Sequence, residues 1–94
     1  MLSAFVFIHA EPERIADLGS ELADIEGISE VYSVTGEEDL IAVVRVRHHE
    51  DLAEVVTGRI ARLDGVVHTR TSIAFQAYSR HDLEAMFSLG TEGG

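Results

Sequence analysis

"VYSVTGEEDLIAVVRVR", residues 31–47, is two alternating runs joined by Gly-Glu-Glu-Asp. Valine, isoleucine and tyrosine flank the break, as they do in strands, so the segment reads as a β-hairpin. Gly36 supplies the positive φ that a tight turn needs, and Asp39 opens the second strand. A turn has no need of Glu37, Glu38 and Asp39 side by side, since like charges repel. Either the tip is a solvated turn on an acidic protein, or it faces something with a positive charge.

Working outward, "LSAFVFIHA" (2–10) is rich in β-formers and is expected as a first strand. Pro12 suits the first turn of a helix whose apolar face carries Ile15, Leu18, Leu22 and Ile25, and Gly27 stops it. The hairpin strands are expected over 28–35 and 39–47. "HHEDLAEVVTGRIARLDG" (48–65) places Leu52, Val55, Val56, Ile60 and Leu63 on a second amphipathic helix. Glu50 and Asp51 sit in its first turn, where the helix dipole favours them, and Gly65 ends it. Gly58 in its interior costs about 1 kcal/mol relative to alanine. "VVHTRTSIAFQAYS" (66–79) is a long last strand. "RHDLEAMFSLG" (80–90) is a short helix capped by Ser79 with Asp82 three residues on. The chain thus divides into a βαββαβ unit, residues 1–79, and a C-terminal helix and tail, residues 80–94.

"IEGISEVYSVTG" (25–36) and "LDGVVHTRTSIA" (63–74) repeat one pattern: apolar, acid, glycine, apolar, strand. Two such halves make the split βαβ, ferredoxin-like α+β sandwich, an antiparallel sheet with two helices on one face. Alternation places Leu40, Ala42, Val44 and Val46 on one side of the third strand and Ile41 and Val43 on the other. In the first strand Leu2, Ala4, Val6 and Ile8 oppose Phe5 and Phe7. Helices cover only one face, so a second apolar face calls for another sheet. The economical source is an identical chain, giving a dimeric α/β barrel. Leu83, Met86, Phe87 and Leu89 add an apolar stripe in the tail, for burial by a neighbour or by its own chain.

Composition narrows the partners. The 94 residues, 46% hydrophobic, make one domain with a core. A formal charge of −10, from 17 acids against 7 bases, opposes binding to nucleic acid or to anionic lipid. The chain has no cysteine, so disulfides and thiolate metal sites are excluded. The opening "MLSAFVFIHAEPER" lacks the basic start of a signal peptide and no apolar run approaches a membrane span, so the expected location is cytoplasmic.

Five histidines, His9, His48, His49, His68 and His81, show no metal-ligand spacing, and no catalytic metal or cofactor is implied. No Gly-x-Ser-x-Gly elbow or phosphate-binding glycine loop is present. What remains is the tip. In its functional reading Asp39 accepts the ammonium group of a small amphoteric ligand, while exposed N–H groups at the tip and hydroxyls of "TRTS" (69–72) bind its carboxylate. Its plainer reading is turn chemistry, with threonine in 69–72 serving strand propensity. Alternation splits Thr69 and Thr71 from Arg70 and Ser72, so one chain cannot aim all four into one pocket.

"VYSVTGEEDLIAVVRV" resembles the Val-Thr-Gly-x-x-Asp hairpin of the effector-binding (RAM) domain of Lrp/AsnC-type transcription regulators, and "GVVHTRTSIAF" is similar to that family's final strand. The likeness covers roughly residues 2–78 in order and spacing. It implies a βαββαβ fold, sheet-to-sheet homodimers, rings such as octamers, and amino acids or related metabolites bound between dimers near the tip. Carried over by position, the ligand-binding candidates are Gly36 and Asp39, Thr71 and Ser72 in the last strand, and Tyr32 and Val34 on the strand entering the tip. The family's usual helix-turn-helix precedes this domain, whereas the first strand here starts at residue 2. The expectation is therefore a stand-alone sensing and oligomerisation module that is not an enzyme. It would act through protein contacts, including full-length regulators of the same family, without touching DNA. Glu38 stands where the family often has an aromatic residue. Two alternatives remain, a small dimeric-barrel enzyme of monooxygenase or isomerase type and a purely structural oligomerisation module. The first would want an inward-facing histidine or an Asn/His/Trp set, and this chain has neither Trp nor Asn.

Overall fold

A computed structural model of the chain describes residues 1–80. Strand β1 (Leu2–Ala10) leads through a 3₁₀ turn, Pro12–Arg14, into helix α1 (Ile15–Ala23). The hairpin strands are β2 (Ile28–Ser33) and β3 (Leu40–Val46). Helix α2 (His49–Ala53) runs on into a π-helical turn, Glu54–Arg59, and a 3₁₀ turn, Ile60–Arg62, before β4 (Val66–Ile73). The sheet order is β2-β3-β1-β4, with every neighbouring pair antiparallel. This is the ferredoxin-like α+β arrangement expected from the order of elements.

Alternation decides what each face of the sheet does. Ala4, Val6, Ile8 and Ala10 of β1 and Leu40, Ala42, Val44 and Val46 of β3 are buried against Leu18 and Leu22 of α1 and Leu52, Val55 and Ile60 of the second helical stretch. Register sets Phe5 opposite Val43 and Phe7 opposite Ile41 on the other face, with Tyr32 opposite Ile41 from the edge strand. Neither helix covers that face: Phe5 is 40% exposed and Tyr32 50%. The sheet is apolar front and back.

Three boundaries depart from expectation, each for a visible reason. Strand β2 stops at Ser33, not at 35, because the chain widens into a tip closed by the Val34 N–H donating to the Asp39 carbonyl at 3.0 Å. Strand β4 stops at Ile73, not at 79. Its partner β1 runs out there: Ile73 pairs with Ala4, and the Ala74 N–H makes one further bond, to the Ser3 carbonyl at 2.8 Å. The expected helix over 80–90, with its cap and apolar stripe, lies outside the described residues apart from Ser79 and Arg80.

The second helix is not a continuous α-helix. Thr57 Oγ1 donates to the Ala53 carbonyl at 2.7 Å, one residue before the π turn that contains Gly58. Such back-bonding and a mid-helix glycine both weaken the α ladder. The wider turn changes the phase: Ile60, five residues after Val55, joins it in the core, while Val56 and Leu63 are only half-buried.

The internal repeat has a conformational basis. Gly27 and Gly65 end the two helical stretches with φ of +101° and +95°. At Gly65 a Cβ would also meet Arg14 Cβ at 2.7 Å. Arg14 lies across this junction, donating through Nε to the Asp64 carbonyl at 3.2 Å and pairing with Glu21 of α1. It ties the start of the first helix to the start of the last strand.

Candidate functional site

The hairpin tip, residues 34–39, is built onto the end of β1. Gly36 adopts φ of +117° and is exposed, as a turn glycine should be. Asp39 is the anchor. Its N–H donates to the Ile8 carbonyl at 3.0 Å, and its Oδ2 accepts the Ala10 N–H at 2.8 Å. The same oxygen lies 3.0 Å from His9 Nδ1. One side chain thus continues the β1–β3 ladder past its last register pair, Ile8 with Leu40, and satisfies a backbone donor that would otherwise have no strand partner.

The other two carboxylates differ from it and from each other. Glu38, with its side chain 18% exposed, faces Arg70 of β4, whose Nη2 is 3.5 Å from Oε1. That guanidinium also sits over the Phe7 ring, 4.4 Å from its centroid. Glu37 is exposed, and no hydrogen bond or ion pair engages its side chain among the described residues. The acidic run is therefore not one uniform charged lip: one acid fastens, one faces a cation, and one is free.

Of the residues anticipated for the site, Val34, Gly36 and Asp39 come together at the tip. Tyr32 lies on the open sheet face, where its hydroxyl donates to the Glu30 carboxylate, and that bond raises its pKa above the usual tyrosine value. Thr71 and Ser72 are separated by the sheet. Thr71 pairs with Val6 on the helix side and Ser72 with Phe5 on the open side, and both are exposed. Within one chain they do not converge on the tip. His9, Phe7 and Arg70 are the residues that sequence reasoning missed. The available signal was alternation, which placed Phe7 on the open face without showing that register sets Arg70 directly across from it.

Two open grooves lie elsewhere. One, of about 440 Å³, is at the opposite end of β3, between Arg45, Arg47 and the π turn with Glu54 and Arg59. The other, of about 430 Å³, runs between α1 and β2 past Gly19, Ala23, Val31 and Ser33. Neither includes the tip residues. In a single chain the tip is a lip and not an enclosed pocket. Among the described residues no group of three or more histidines and carboxylates is placed to hold a metal ion, and no helix is long and apolar enough to cross a membrane.

Comparison with known proteins places these features in context. Residues 3–83 match the family model described as the Lrp/AsnC ligand binding domain. An uncharacterised HTH-type transcriptional regulator of Pyrococcus abyssi, PYRAB01370, is 34% identical over 70 residues, which are 74% of this chain and 44% of that protein. The chain spans about half the length of the curated relatives it matches. Among solved structures it is similar to TTHA0845 of Thermus thermophilus, with 46% identity and a TM-score of 0.81, covering 85% of this chain and 100% of that one. It is also similar to a feast or famine regulatory protein of Mycobacterium tuberculosis complexed with L-methionine, at 36% identity and a TM-score of 0.69. That match covers 85% of this chain and 54% of the regulator.

Proposed function

Since the chain belongs to the Lrp/AsnC ligand-binding domain family, we propose that it is an amino-acid-sensing and oligomerisation module acting in transcriptional regulation of amino-acid metabolism, with residues 1–79 as its effector unit. Chains pair through their open sheet faces, and the pairs assemble into a ring of the octamer kind. An amino acid or related metabolite binds between pairs beside the tip, near Gly36 and Asp39, with Tyr32 and Val34 on the approach and Thr71 or Ser72 supplied by whichever chain brings them close. The module works in the cytoplasm and passes its signal through protein contacts, including full-length regulators of the same family. With a charge of −10 it does not bind nucleic acid itself. It carries out no reaction.

One observation carries this reading: a sheet already filled by helices on one face leaves Phe5, Phe7, Ile41 and Tyr32 on the other. Such a face is stable in water only when something apolar covers it, and a cleft between assembled chains then becomes available at its ends. The methionine complex of the mycobacterial regulator supports an amino acid as the ligand.

Calorimetry of the assembled protein against each of the twenty amino acids tests the proposal, and binding of at least one is expected. Silence towards all of them would remove the sensing role. Asp39→Asn is the appropriate companion variant. It keeps an oxygen for the Ala10 N–H while removing the charge, so a loss of binding reports on the ligand and not on an unfastened tip.

A further inference from the structure

The Glu38–Arg70 pair is conspicuous because the fold makes so little of it. Asp39 holds the tip to β1 and Arg14 holds the helix–strand junction, each through close contacts with the backbone. Glu38 and Arg70 contact neither backbone nor each other closely. Their 3.5 Å separation is at the outer edge of hydrogen bonding, where a charge-assisted bond would be about 2.7–2.9 Å. Yet both groups are held in place. Glu38 keeps only 18% of its side chain in solvent, and Arg70 lies flat over Phe7 with 57% of its side chain exposed. A pre-oriented anion and cation, loosely matched and open to one side, suit a molecule that carries both an ammonium and a carboxylate.

We propose that Glu38 and Arg70 are the charge-reading pair of the amino-acid cleft. The ligand inserts between them, its α-ammonium donating to Glu38 and its α-carboxylate accepting from Arg70. Phe7 is the platform that keeps the guanidinium in position, a cation–π contact that survives when the carboxylate partner is exchanged. Asp39 is a positioning residue, since its Oδ2 is already committed to Ala10 and His9. A zwitterion is then distinguished from a simple acid or a simple amine by two side chains contributed by the hairpin and by β4, whatever the ligand's own side chain. This inference rests on the amino-acid-sensing reading and sharpens it.

An equimolar mixture of the twenty amino acids, followed by each separately, identifies the responder on the wild-type protein. That amino acid is then compared with the carboxylic acid lacking its ammonium and with the amine lacking its carboxylate. Glu38→Gln and Arg70→Gln should each weaken binding of the amino acid by roughly tenfold or more. Glu38→Gln should take the ammonium-free acid as well as the amino acid, and Arg70→Gln should take the carboxylate-free amine as well. Arg70→Lys, which keeps the charge, should recover part of the loss and guards against a folding defect in Arg70→Gln. If the wild type responds and both glutamine variants bind within about twofold of it, this assignment is overturned while the sensing role stands. If the wild type responds to nothing in the mixture, both fall.

Discussion

Asp39 shows how one side chain can serve local structure where a sequence suggests only a ligand contact. Its carboxylate replaces a missing strand partner for the Ala10 N–H, and Ala10 is 2% exposed, so water cannot substitute freely. Asp39→Ala should therefore lower the stability of the ligand-free protein by about 1–3 kcal/mol, measured by urea unfolding, while Asp39→Asn should cost clearly less. Equal stability of Asp39→Ala and wild type would mean that the tip is not fastened by this bond. At this scale the sequence was informative about position and silent about role. The Gly-x-x-Asp spacing marked Asp39, but the bond that occupies it runs to a residue 29 positions away.

Among the elements, the helices were legible from their apolar spacing and their terminating glycines. Their regularity was not, because Thr57 and Gly58 act on a ladder whose repair depends on what Ile60 can reach in the core. The glycines divide into two kinds that substitution should separate. In α1 a Cβ at Gly19 would meet nothing within 4 Å, so Gly19→Ala should raise stability by about 1 kcal/mol through helix propensity. Gly65 has φ of +95° and Arg14 packed 2.7 Å from where a Cβ would sit. There Gly65→Ala should lower stability by about 1–3 kcal/mol from backbone strain alone, with the Arg14 contact adding to it. Thermal melts of the two variants should move in opposite directions; movement in the same direction would contradict this account of the junction.

For the molecule as a whole, the open sheet face is the feature from which assembly follows. A chain of 10.3 kDa that left it bare would expose aromatic surface at the middle of its sheet. Sedimentation of the wild type should give a species at least twice that mass. Phe5→Arg places a charge at the centre of the face, opposite Val43 and Ser72. Because a two-fold pairing counts the residue twice, the variant should lose about 3 kcal/mol or more per dimer, roughly a hundredfold in dissociation constant. A wild type that sediments as a single chain would remove the cleft along with the assembly.

The sequence by itself determined the order of elements, the two apolar faces of the sheet and the place of the hairpin tip. Those properties follow from periodicity and from glycine and proline chemistry, which act over a few neighbouring residues. Only the tertiary structure decided which charges meet. Strand register carried Arg70 across from Phe7 and within reach of Glu38, brought Ala10 to Asp39, and set Thr71 and Ser72 on opposite sides of the sheet. Partnerships of that kind depend on how far each strand slides against the next, and no local pattern in a single chain fixes that distance.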